Sequence, residues 1–180
     1  MKHSRSLLTA TACALLMCYG TSSAAAEQTP TDTRTGTKAT YGDIIFFNGK
    51  GEKKCTLPVP EIKATYDLSQ ANQRCENNMA AAFILENIPS ATLINFYANE
   101  SCSDARTGDN FFVKLKTTKQ PTNWGDAMMN FNDFRTKSPG DQIPKRNIRV
   151  EDRWQGHEFD DEDWDEQISC VYIERSQPDN

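Results

Sequence analysis

Apolar and polar residues along the chain fall into short runs of period two, separated by turn-forming clusters, and this spacing predicts strands rather than long helices. Ile44, Ile45, Phe46 and Phe47 form a β-branched and aromatic run that stops at the turn signal Asn48-Gly49-Lys50-Gly51. Cys55, Leu57 and Val59 alternate onto one face of a second extended run over residues 53–59, before Pro60 limits its pairing. Ile94 and Phe96, then Phe111, Val113 and Leu115, mark strands over residues 93–98 and 111–117. The segment between them, residues 99–110, is dense in turn formers, so the two strands are expected to make a hairpin with a long loop. Ile148-Arg149-Val150 and residues 168–173 (ISCVYI) read as the last strands.

Other segments are less regular. Residues 69–78 are polar and suit a short helix or loop with Ser69 as a cap. Residues 79–85 (MAAAFIL) carry alanines that favour a helix, but their length and the preceding Asn77-Asn78 fit a buried strand better. Residues 126–134 (DAMMNFNDF) predict a short helix, with Asn123 or Asp126 near its start and Ala127, Met128, Phe131 and Phe134 sharing one face. A Lys/Pro/Gly-rich connection over residues 137–146 follows. No repeat of fixed period is present. The elements together predict one mainly β domain over residues 41–175, a β-sandwich or barrel with one or two short helices, ending in a short tail at residues 176–180.

The N-terminus changes the counts. Lys2, His3 and Arg5 precede an apolar stretch over residues 7–19, and Ala24-Ala25-Ala26 supplies the small residues a signal peptidase requires. Residues 1–26 are therefore read as an export signal, and the threonine-rich residues 27–40, with no large apolar side chain, as a disordered leader. Cys18 with Leu15 partly fits a lipoprotein signal, but Met17 stands where that signal has a small residue, so a lipid anchor is the weaker reading. No later segment approaches the ~20 apolar residues of a membrane-spanning helix. The expected location is periplasmic or extracellular.

Export places Cys55, Cys75, Cys102 and Cys170 where disulfides persist, and four cysteines allow three connectivities. Spacing does not choose among them. No Cys-x-x-Cys pair or neighbouring histidine supports a zinc site.

Charge is distributed unevenly. Residues 151–180 hold 11 acids against two arginines, a net −9, whereas residues 27–150 are at +2. The densest stretch, residues 157–166 (HEFDDEDWDE), sets seven carboxylates around Phe159 and Trp164. Such a segment disfavours nucleic-acid binding, which needs a basic footprint. It suits docking of a basic macromolecule, with Asp160, Asp161, Asp163 and Asp165 steering association and Phe159 and Trp164 as apolar anchors. A solvated acidic loop is the plainer alternative. Asp161, Asp163 and Asp165 also open like a calcium loop, but Glu166 replaces the required glycine and Tyr172 the bidentate glutamate of an EF-hand.

Glu86-Asn87-Ile88-Pro89-Ser90-Ala91, followed by the strand Leu93-Ile94-Asn95-Phe96-Tyr97 and Asn99-Glu100-Ser101-Cys102, resembles the middle of a βγ-crystallin domain. That family's calcium motif has two Asn or Asp residues, two variable positions, then Ser or Thr and Ser. Asn87 and Ser90 match, Glu86 keeps a carboxylate on a longer arm, and Ala91 lacks the final hydroxyl. The resemblance spans residues 41–119 and implies a Greek-key sandwich of two four-stranded motifs, with calcium at Glu86, Asn87 and Ser90. No second copy of the motif stands at residues 123–128.

Catalytic motifs are missing. His157 is the single histidine after residue 26 and lies among carboxylates, a poor setting for a neutral base. No Gly-x-Ser-x-Gly, His-Glu-x-x-His or phosphate-binding glycine loop occurs. Carboxylate-only hydrolysis remains open to any protein with paired acids. The sequence thus favours an exported non-catalytic binding protein, such as a periplasmic inhibitor or immunity protein, over a calcium module or a small hydrolase.

Overall fold

The computed structural model describes residues 41–70 and 75–176. The segments expected to be an export signal (residues 1–26, with Cys18) and a leader (residues 27–40), and residues 177–180 of the expected tail, lie outside the described residues.

The alternating runs form two antiparallel sheets. The first sheet contains β1 (Asp43–Phe47), β2 (Lys53–Pro58), β4 (Ala82–Glu86) and β7 (Met129–Asn130), in the order β2-β1-β4-β7. The second contains β3 (Lys63–Asp67), β5 (Leu93–Tyr97), β6 (Phe111–Thr117), β8 (Gln142–Ile143), β9 (Ile148–Gln155) and β10 (Cys170–Glu174). Its order is β3-β10-β5-β6-β9-β8. β5 and β6 pair as the expected hairpin, with Ile94 opposite Leu115 and Phe96 opposite Val113.

Period two explains which side faces inward. Ile44 and Phe46 of β1, Ile94 and Phe96 of β5, Phe111, Val113 and Leu115 of β6, and Val171 and Ile173 of β10 are all buried in one core. Phe83 lies among aromatic rings, with ring centroids 4.7 Å from Phe96, 5.3 Å from Trp124 and 5.1 Å from Phe131. The largest fully buried side chains are rings, Trp164 and seven phenylalanines.

Residues 82–86 are a strand because β4 fills the place between β1 and β7, with Ala82 to Leu85 all buried. Residues 126–134 are not the predicted α-helix. Met129 and Asn130 instead extend beside β4, opposite Phe83 and Ala82, and a 3-10 turn at Phe131–Phe134 follows. The open edge of β4 offers backbone hydrogen bonds that a short isolated helix cannot match, so tertiary context overrides the local pattern. Among the described residues, the other helical elements are 3-10 turns at Pro144–Arg146 and His157–Phe159. β3 and β8 carry too little apolar alternation to stand out in sequence and lie at the two ends of their sheet.

Two disulfides settle the connectivity. Cys55 pairs with Cys75, and Cys102 pairs with Cys170. The second ties the long β5–β6 loop to β10 across 68 residues of sequence.

Candidate functional site

The acidic segment begins where β9 ends. Gly156 packs against the carbonyls of Thr107 and Gly108 so closely that a Cβ would overlap them. Its N–H donates to the Asn110 carbonyl at 2.8 Å, and the Glu158 N–H donates to the Gly108 carbonyl at 3.0 Å. The chain then turns through His157–Phe159 and returns along the body of the fold.

Trp164 is a core residue. It is fully buried and its ring stacks on Phe111, with centroids 4.2 Å apart and planes 11° apart. Phe159 is partly buried and meets Phe111 edge-on at 4.8 Å. The expectation that Trp164 anchors a partner is therefore corrected, because its ring has no surface left to offer. Phe159 likewise turns its apolar face inward, and both aromatics hold the loop onto the domain.

Polar contacts complete the attachment. The Asn132 side chain accepts from the Trp164 N–H and donates to Asp165 Oδ1, both at 2.8 Å. Arg135 donates to the carbonyls of Phe159 and Asp160 at 3.1 and 2.7 Å and lies 3.6 Å from Asp163. Glu166 donates its N–H to the Ala80 carbonyl and accepts from the Gly49 N–H.

The carboxylates remain outside. Glu158, Asp160, Asp161, Glu162, Asp163 and Glu166 are exposed and Asp165 is half-buried. Partial burial, then the nearby charges of Asp163, Glu166 and Asp133, hold the Asp165 carboxyl above the usual aspartate range. Asp133, from the turn after β7, thus joins the same negative field. Asn132, Asp133 and Arg135 were not foreseen as part of this site, because nothing local in sequence signals a contact with residues about 30 positions away. Arg153 remains a cation beside the loop: its guanidinium lies 5.2 Å from the Trp164 ring centroid, where burial, and then Arg135, lower its basicity without discharging it at neutral pH.

The residues expected to hold calcium occupy the crossing from β4 to β5. Glu86 and Ser90 are exposed, and Asn87 adopts a left-handed backbone with φ 54°. Asn87 Oδ1 accepts from Asn123 Nδ2 at 3.0 Å, while the Ser90 N–H and hydroxyl both donate to Gln120 Oε1. Among the described residues, no three His, Cys, Asp or Glu side chains are grouped to hold a metal ion.

Comparison with protein-family models, curated proteins and solved structures returned no match.

Proposed function

We propose that the protein is an exported, non-catalytic binding protein whose acidic loop docks a basic macromolecular partner, in the manner of a periplasmic inhibitor or immunity protein. The inward orientation of Phe159 and Trp164 carries this reading, since it fixes the loop and leaves its carboxylates facing solvent. A preformed negative surface loses little conformational entropy on binding and steers a positive partner before contact. Asp160, Asp161, Asp163 and Asp165 supply the charge, and the apolar part of the contact comes from the partner or from the loop margins.

The test compares the wild type with a variant carrying Asp160→Asn, Asp161→Asn, Asp163→Asn and Asp165→Asn. Pull-down from periplasmic and neighbouring-cell extracts is expected to recover a basic protein with the wild type alone, while near-UV circular dichroism shows both chains folded. Identical partners for the two chains would reduce the loop to a solvated surface.

A βγ-crystallin-like calcium module is the second reading, supported by the tight turn that carries Asn87 and Ser90 between the sheets. Calorimetric titration separates the two. Saturable calcium heat that Asn87→Ala abolishes supports the module, and a flat trace with folded protein removes it.

A further inference from the structure

A cleft of about 460 Å³ opens beside the turn Phe131–Phe134. Its size lies within the ~300–1,000 Å³ usual for small-molecule sites. Half-buried Ile143 supplies apolar surface, with Met129 buried in the floor, while Lys137, Lys145 and Arg146 stand around it with Asp133 as the one acid.

Three cations against one acid run counter to the chain as a whole, which has 20 bases and 25 acids. Nor are these cations neutralised locally. The ion pairs among the described residues use Lys54, Arg106, Lys114, Arg135 and Arg149, and none involves Lys137, Lys145 or Arg146. Asp133 directs a carboxylate oxygen to the Asn130 N–H.

One wall is fixed in advance. Arg146 donates to the carbonyls of Ala127 and Met128 at 2.7 and 2.8 Å, and its guanidinium lies 5.3 Å from the Trp124 ring centroid. It contributes charge without moving. Lys145 is exposed and Lys137 half-buried, so their ammonium groups are the ones able to close on a ligand.

We infer that this cleft binds a small amphiphilic carboxylate, its anionic head held by Lys137 and Lys145 and its aliphatic part laid on Ile143 over the buried Met129. Arg146 adds to the positive field that favours the head group. The inference is independent of the acidic loop, which would repel the same ligand.

Calorimetric titration of the full protein with octanoate, acetate and octylammonium tests it. Octanoate is expected to bind one saturable site, acetate more weakly by at least about tenfold for want of aliphatic contact, and octylammonium not at all. Lys137→Gln combined with Lys145→Gln is expected to weaken octanoate by about tenfold, with an unchanged melting temperature, and the acidic-loop variant is expected to keep octanoate binding or strengthen it. Absence of octanoate binding, equal affinity for acetate or octylammonium, or indifference to the two lysine substitutions would overturn the assignment.

Discussion

Gly42 has φ +90°, and a Cβ there would meet the backbone of Glu86 and Asn87. Both the conformation and the contact demand glycine, so Gly42→Ala is expected to cost about 2 kcal/mol or more in urea unfolding. Trp164 makes the opposite point about legibility. Seven carboxylates within ten residues describe an exposed segment, and one ring inside it cannot announce that it turns inward to Phe111. Trp164→Ala is expected to lose about 3–5 kcal/mol. Trp164→Phe should lose much less, since the Trp164 Nε1–H is buried without a hydrogen-bond partner and its removal leaves nothing unsatisfied. Asp165 gives a test in pH. Its carboxyl holds a proton more tightly in the folded state than at its ordinary 3.8, so ionisation lowers stability as pH rises through the aspartate range. Asp165→Asn is expected to raise the urea midpoint at neutral pH, with the gain fading by about pH 3, where the wild type is protonated too. A lower midpoint at neutral pH would mean that the hydrogen bond from Asn132 depends on the charge.

Among the elements, those with alternating large residues were readable and those defined by their neighbours were not. β1, β5, β6 and β10 follow from period-two burial of Ile, Phe, Val and Leu. The spacing of Phe131 and Phe134 fits one face of a helix equally well, but both are buried from a 3-10 turn whose place is set by the pairing of Met129 with Phe83. The basic cleft was hidden for a similar reason: residues 137–146 hold three bases and one acid, a bias that reads as a connector until folding sets it against Met129. The contact between the β5–β6 loop and the end of β9 is also purely tertiary. Gly156→Ala would force Gly156 away from the Thr107 and Gly108 carbonyls and release the start of the acidic loop. The expected result is faster amide exchange at Glu158 and Phe159, with the exchange of β1 unchanged; equal acceleration in β1 would show that the substitution unfolds the whole domain.

At the scale of the whole molecule, the proposed export and the disulfide closure are linked through stability. The chain-entropy estimate assigns about 3 kcal/mol to the Cys55–Cys75 bridge, with its separation of 20 residues, and about 4 kcal/mol to Cys102–Cys170, with its separation of 68. Replacing Cys102 and Cys170 with alanine should therefore cost more than replacing Cys55 and Cys75. Single-domain proteins unfold with about 5–15 kcal/mol, so losing both bridges removes a large share of that stability or all of it. The two sheets then hold together only if the aromatic core around Phe83 and Phe96 supplies the remainder. Dithiothreitol at mildly alkaline pH is expected to abolish the near-UV circular dichroism of the tryptophans at a temperature where the oxidised protein is fully folded. A chain lacking residues 1–26 and kept in a reducing cytoplasm should be degraded by protease under conditions that the oxidised chain survives. If the reduced protein instead keeps its near-UV spectrum and melts within a few degrees of the oxidised form, the core alone carries the fold. The cysteines would then no longer require an oxidising compartment, and the N-terminal sequence alone would point to export.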